Sequence, residues 1–189
     1  AVDSTAGERE RLSLESILYT ATPKASLVIC KWLFVSGVAL LSTTLTGLTF
    51  WLLGVLPPVQ ELIGRSANIT LGTLAIAILI FLPLFPLVGG IQLLIGSFCK
   101  SVKEAQAYTS LLALVAMPLG FPSFFDKADI LTKVPVFGQA LACRKVLRGE
   151  VLDLSSLMMV ECVTIVLAAL VLTAIIHRFG KEEMVRGVS

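Results

Sequence analysis

Long stretches without a formal charge dominate the pattern of hydrophobic and polar positions. The longest runs from Ser66 to Cys99, and two others cover Trp32–Gln60 and Ala105–Phe125. A fourth, Leu154–Ile176, is interrupted only by Glu161. A bilayer core about 30 Å thick needs roughly 20 apolar residues of helix, so each run is long enough to cross it. The pattern predicts an all-α, polytopic membrane helical bundle with transmembrane helices over 27–56, 68–98, 105–125 and 154–177.

The composition supports a membrane domain, which we place over residues 27–178. Hydrophobic residues make up 56% of the chain and charged residues 15%, whereas soluble domains carry about 25% charged residues. The net charge of +2 is too small to indicate a nucleic-acid partner. The four cysteines are far apart and there is one histidine, so no metal site is expected. Membrane lipid is the expected surrounding.

A short amphipathic helix is predicted over residues 8–22, before the first span. Leu14, Ile17, Leu18 and Ala21 follow helical spacing and form one apolar stripe. Such a helix can rest on lipid or dock in the groove of a partner protein, and both interpretations stay open. Charged residues cover its other faces, namely Glu8, Arg9, Glu10, Arg11 and Glu15.

The start of the chain does not have the basic-then-apolar order of a signal peptide, and it opens without a methionine. We therefore expect the chain to be the C-terminal part of a longer polypeptide.

The second hydrophobic run is too long for one straight span, so it must tilt, protrude or break. Pro83, Pro86, Gly89 and Gly90 cluster in its middle and predict a hinge or kink there. A short interfacial helix is also predicted over 139–147, between the last two spans.

The distribution of basic residues does not decide the topology. With the N-terminus inside and all four segments spanning, the inner side has a modest excess of Lys and Arg, as the positive-inside rule requires. A re-entrant segment over 66–99 would give the same excess, because it would move the basic loop 126–150 to the inside.

Few polar side chains lie within the predicted spans. Glu161 is interpreted as a cation or proton site, or else as a carboxyl near the outer interface that is protonated or paired. Ser42, Thr46 and Thr49 follow i, i+4, i+7 on the first span. Their hydroxyls can line a cation path or serve helix packing, and Gln92 carries the same ambiguity.

Two groups of motifs resemble a known family. The stretch Gly7–Glu15, followed by Thr22-Pro23 and Lys31, resembles a segment of the type-two ABC exporter permeases, and in particular their NatB-like sodium-efflux branch. Val134-Pro135-Val136 and Arg148-Gly149-Glu150 resemble that family's Pro-containing stretch and its Gly-Glu ending before the last span.

The resemblance implies a six-span permease half whose first two spans would precede this chain. Residues 1–26 would be a cytoplasmic coupling segment that docks on an ABC ATP-binding subunit, and 179–189 a cytoplasmic tail. The segment 126–150 would lie on the outer side. A second permease copy or a homologue would complete the transporter. No cofactor is expected on this chain, because ATP and Mg would bind the partner ATPase subunit.

The expected function is transport by alternating access rather than catalysis. The chain contains no G-x-x-x-x-G-K-[ST] phosphate loop, so it cannot hydrolyse ATP by that route. An intramembrane protease would need a catalytic pair, and His177 has no matching residue in the spans. Sodium is the substrate implied by the resemblance. An exporter of lipid, drug or polysaccharide, or a structural membrane subunit, remains an alternative.

Overall fold

The computed structural model describes residues 24–56, 70–99, 101–116 and 133–186, and the regular structure in these ranges is helical. The predicted all-α class is therefore confirmed. The segment 8–22 proposed for coupling lies outside the described residues. The helices in chain order are α1 Lys24–Val55, α2 Leu71–Phe81, α3 Leu84–Phe98, α4 Val102–Ala116, α5 Phe137–Arg148 and α6 Leu154–Arg186.

Two described helices contain segments long and apolar enough to cross a bilayer, Ala25–Gly54 in α1 and Leu154–Phe179 in α6. They correspond to the first and last predicted spans. Helices α2 and α3 meet the same criterion only as a pair, with a 44° bend between them. The predicted span over 105–125 begins as α4, but its second half lies outside the described residues. Four spans therefore stay a prediction, and the described residues hold two candidates, or three if the bent pair is one broken span.

Large apolar side chains are exposed along both long helices. On α1, Phe34 and Phe50 are 69% and 64% exposed, and on α6 Met158 is 66% exposed. In water, exposed apolar surface costs about 25 cal/mol for each Å² that burial would remove. Lipid tails are as apolar as these side chains and solvate them without that cost. Exposed apolar surface on helices of spanning length is the mark of a multi-pass integral membrane protein.

The second hydrophobic run breaks at Leu82-Pro83, between α2 and α3. Pro83 has no backbone N–H, so it cannot continue the hydrogen-bond ladder of α2. Pro86 lies in the first turn of α3, where the missing N–H needs no helical partner. The predicted kink is thus present at Pro83, whereas Gly89 and Gly90 lie inside the continuous helix α3.

Contacts divide the chain into two compact units, and helices α1 and α6 contribute residues to both. Among the described residues, the first unit holds 24–37, 86–99, 101–116 and 166–186. The second holds 38–56, 70–85 and 133–165.

In the first unit, α3 packs closely against α1 and α6. An ideal Cβ built on Gly90 would lie 2.9 Å from Val171 Cγ1 and 3.3 Å from Trp32 Nε1. The indole N–H of Trp32 donates to the carbonyl oxygen of Pro86 at 2.8 Å. Glycine therefore allows an approach that a side chain would block. One buried apolar cluster of this unit is formed by Val28, Val35, Leu93, Ile175 and Phe179.

In the second unit, α2 packs against α5. Ile80 of α2 is buried with Ala142 and Val146 of α5. Helix α5 ends at Arg148 and is capped by Gly149, which adopts a left-handed conformation with φ of 69°. The Glu150 N–H donates to Lys145 O at 2.9 Å. This is the usual helix ending at glycine, and the short helix predicted over 139–147 is α5.

The side of the membrane on which α5 lies is testable through Cys143. We expect an impermeant maleimide to label Cys143 in intact cells when the other three cysteines are replaced, because the resemblance noted above implies that residues 126–150 lie on the outer side. Burial raises the pKa of the Cys143 thiol, and the thiolate is the reactive form. Labelling should therefore be slow at neutral pH and faster near pH 8.5, which is roughly the pKa of a free cysteine thiol. A cysteine-free variant measures background, and labelling only in opened cells would instead favour a re-entrant segment over 66–99.

Candidate functional site

A polar cluster surrounds Glu161 on the third turn of α6. Glu161 lies seven residues past Leu154, about 10 Å along a straight helix. Its Oε2 accepts a hydrogen bond from Gln139 Nε2 of α5 at 3.1 Å. Gln139 and Thr164 are fully buried, with 0% of each exposed. The acidic side chain inside the last candidate span is thus hydrogen-bonded to an amide, and its role as a cation or proton site stays a prediction.

The hydrogen bonds of the cluster form a chain that begins at the backbone N–H of Val136 and passes through Gln139 to Glu161 and Thr164. Val136 N–H donates to Gln139 Oε1 at 3.0 Å. Gln139 Nε2 donates to Glu161 Oε2 and also to Thr164 Oγ1 at 3.2 Å. The Thr164 hydroxyl then donates to the carbonyl oxygen of Val160 at 2.7 Å. Each buried polar group in this chain of bonds has a partner, which such burial requires.

The local sequence explains why these groups meet. Asp153 precedes α6, accepts from Ser155 N–H at 3.2 Å and from the Ser156 hydroxyl at 2.7 Å, and so fixes the start of the helix. These hydrogen bonds, first that from Ser156, lower the pKa of Asp153. Residues three and four apart share one face of a helix, so Glu161 and Thr164 lie side by side.

One carboxylate oxygen of Glu161 stands apart from this network. Glu161 Oε1 is buried and has no hydrogen-bond partner among the described residues. A buried acceptor without a donor is costly, more so when it carries charge. Oε1 is therefore a position at which a proton or a cation would bind favourably.

Two hydroxyls of the stripe on α1, those of Thr46 and Thr49, bond to their own helix. Thr46 Oγ1 donates to Ser42 O at 2.8 Å, and Thr49 Oγ1 donates to Leu45 O at 2.9 Å. Ser42 and Thr46 line a cavity of about 340 Å³ within the second unit, whereas Thr49 and Glu161 do not. Back-bonding of this kind is common for hydroxyls in membrane helices and leaves their oxygen lone pairs available.

The remaining candidates are spread over the molecule. Gln92 is half-buried on α3 and belongs to the first unit, whereas Glu161 belongs to the second. The proposed coupling residues Glu8, Arg9, Glu10, Arg11 and Glu15 lie outside the described residues, so their role stays a prediction.

Sequence reasoning did not single out Gln139, Thr164 or Arg178. The spacing of Glu161 and Thr164 on one helix could have indicated a shared polar face. The hydrogen bond to Gln139 could not be predicted, because it depends on how α5 packs. Farther along α6, the Arg178 guanidinium stacks on the Phe98 ring at 3.6 Å. Its Nη2 donates to Ser97 O at 3.4 Å, so Arg178 fastens α6 to the end of α3.

Comparison with known proteins places the chain in a family. The family model for ABC-2 family transporter proteins matches residues 1–147. The ABC transporter permease protein NatB of Bacillus subtilis (strain 168) is 32% identical over 140 residues, which are 71% of this chain and 33% of NatB. The chain thus spans about a third of the length of this curated relative. No solved structure gives a significant match. Since the family model covers more than half of the sequence, the chain belongs to the ABC-2 family of transporter proteins.

Proposed function

We propose that the chain forms part of the permease subunit of an ABC exporter that moves sodium out of the cell. The observation that carries this proposal is the family match over residues 1–147 of a multi-pass membrane chain. Energy would come from ATP hydrolysis, with Mg, in a partner ATP-binding subunit. A second permease copy or a homologue would form the other half of the transport path.

The proposed mechanism is alternating access between inward- and outward-facing states. Residues 8–22 would receive the movement of the ATPase, because a charged amphipathic helix suits a groove on a partner. The 44° bend between α2 and α3 at Pro83 supports the expectation that this segment changes shape during the cycle.

Sodium is proposed as the substrate because of the local chemistry of Glu161. This residue supplies a negative charge inside the last span and an oxygen with no partner among the described residues. Carboxylates within membrane spans are costly and commonly mark ion pathways. Lipid, drug and polysaccharide substrates would leave this charge without a role.

The proposal is tested by flux through the complete transporter. We expect the full-length permease to copurify with an ATP-binding subunit and to drive ATP-dependent sodium uptake into inside-out sealed vesicles. Vesicles with an ATPase subunit that cannot hydrolyse ATP serve as the control. A complex that hydrolyses ATP yet moves no sodium would contradict the proposed substrate, and failure to associate with any ATPase would contradict the permease role.

Coupling gives a separate prediction. Replacing Glu8 and Glu15 together by Ala should lower permease-stimulated ATPase activity several-fold while membrane insertion stays normal, because neither residue lies in a predicted span. Charged contacts across a docked interface each contribute about 1.5–3 kcal/mol when desolvated. The measurement is ATPase activity per assembled complex, with Glu182→Ala and Glu183→Ala in the tail as matched charge controls. Full stimulation at normal assembly would contradict docking by this helix.

A further inference from the structure

We propose that Gln139 is a positioning residue for Glu161: it holds carboxylate oxygen Oε2, so that Oε1 becomes the binding position of one monovalent cation. The inference deepens the proposed function and rests on it for the choice of sodium as the ion. Its basis is the geometry of the cluster formed by the buried side chains of Gln139 and Thr164 and the partly buried side chain of Glu161.

The orientation of the Gln139 amide is fixed. Its Oε1 accepts from Val136 N–H at 3.0 Å, so a flipped amide would set two donors against each other. Val136 itself has a positive φ of 73°, a strained conformation for a β-branched residue. Gln139 therefore presents its amide hydrogens, rather than its oxygen, to Glu161.

Both amide hydrogens of Gln139 are in use. One donates to Glu161 Oε2 at 3.1 Å and the other to Thr164 Oγ1 at 3.2 Å. Thr164 can only accept from Gln139, because its single hydroxyl proton goes to Val160 O. The side chain of Gln139 has no freedom to turn without losing a buried hydrogen bond.

This arrangement uses one carboxylate oxygen of Glu161 and leaves the other outside the hydrogen-bond network. Gln139 is a neutral donor, so it orients the carboxylate without cancelling its charge. Oε1 is buried with no partner in the described part of the chain. A negative charge removed from water is compensated best by a positive ion in direct contact. The described part of the cluster contains a single carboxylate, whose charge balances that of a monovalent cation, whereas a buried divalent cation would keep a net positive charge.

Sodium binding is tested on the full-length protein purified with its ATPase partner. Its thermal midpoint is measured against sodium chloride, with choline chloride holding the ionic strength constant. A ligand that binds the folded state raises the midpoint. We expect sodium to raise the thermal midpoint of the wild type. Gln139→Leu should need about tenfold more sodium for the same rise in midpoint, because losing a hydrogen bond to a charged group lowers affinity by about this factor.

Matched variants separate positioning from general structure. Thr164→Ser keeps the hydroxyl that accepts from Gln139, so sodium should raise its thermal midpoint as in the wild type. Thr164→Val removes this hydroxyl and should bind sodium more weakly. Thr173→Val is the control on the same helix, because the exposed Thr173 hydroxyl donates only to Leu170 O. In vesicles, Gln139→Leu should raise the half-saturating sodium concentration about tenfold and change the maximal flux less than about twofold.

Each outcome decides the inference. The inference is overturned if sodium raises the thermal midpoint of wild type and Gln139→Leu equally. It is also overturned if sodium does not raise the midpoint of the wild type, because Oε1 would then hold a proton. A lower midpoint for Gln139→Leu with an unchanged sodium dependence would make Gln139 a structural residue and overturn it too. Sodium binding that depends on Gln139 without ATP-driven flux would uphold the inference and overturn the proposed substrate. ATP-driven sodium flux whose dependence on sodium concentration is the same in wild type and Gln139→Leu would uphold the proposed substrate and overturn the inference.

Discussion

Replacing Gly90 by Ala should destabilise the folded protein by about 1–3 kcal/mol, the usual cost of overpacking a tight contact. The new Cβ would lie 2.9 Å from Val171 Cγ1, closer than real Cβ atoms approach. Valine is β-branched and has one preferred rotamer in a helix, so it cannot turn away at little cost. The better helix propensity of Ala offsets at most about 1 kcal/mol of the loss. The measurement is the thermal midpoint of the purified protein.

The chain offers a matched control and a rescue for this prediction. Nothing lies within 4 Å of a Cβ built on Gly37, so Gly37→Ala should be neutral or slightly stabilising. Adding Val171→Ala to Gly90→Ala should restore part of the lost stability, because it removes the atom that clashes. A double-mutant cycle then gives the coupling energy between the two positions. Normal stability of Gly90→Ala together with reduced flux would point to the hinge role predicted from the sequence.

The contrast between Pro83 and Gly90 shows what local chemistry can predict. Proline breaks a helix by its own covalent structure, so the bend at Pro83 could be predicted without knowledge of any neighbour. A pair of glycines in an apolar run allows either flexibility or close helix packing. Which of these applies depends on the helices that pass beside it, here those carrying Trp32 and Val171. The sequence does not contain that information in local form.

The long helices α1 and α6 were predictable for a similar physical reason. A span depends on length and freedom from charge, and both can be counted along the chain. The cluster at Glu161 was only half predictable. A lone carboxylate in an apolar run demands a partner, but Gln139 is distant in sequence and belongs to a short helix whose packing decides which face is buried. The spacing of Glu161 and Thr164 could have suggested a shared polar face.

Replacing Glu161 by Gln should reduce ATP-driven sodium flux at least tenfold if Oε1 binds the ion. The amide keeps the shape of the side chain and can still offer an oxygen to Gln139 Nε2, so folding should be preserved. It places an NH₂ group where Oε1 stands and removes the charge, and a charged contact of this kind contributes about 1.5–3 kcal/mol. Asp153→Asn is the matched control, since Asn also caps helices well and Asp153 lies outside the cluster.

Glu161→Leu separates the transport role of the carboxylate from its structural cost. Removing a buried carboxylate relieves desolvation, but Leu leaves one N–H of Gln139 without its acceptor, which costs about 1–3 kcal/mol. We therefore expect the single variant to gain little stability, and the double variant Gln139→Leu with Glu161→Leu to be more stable than either single one. The single Glu161→Leu variant and the double variant should insert normally, because Glu161→Leu makes the run Leu154–Phe179 more apolar. Flux is compared at matched protein levels in sealed vesicles. Wild-type flux in Glu161→Gln and in Glu161→Leu would make the carboxylate a structural residue, and the described part of the last span would then hold no charged ligand for sodium.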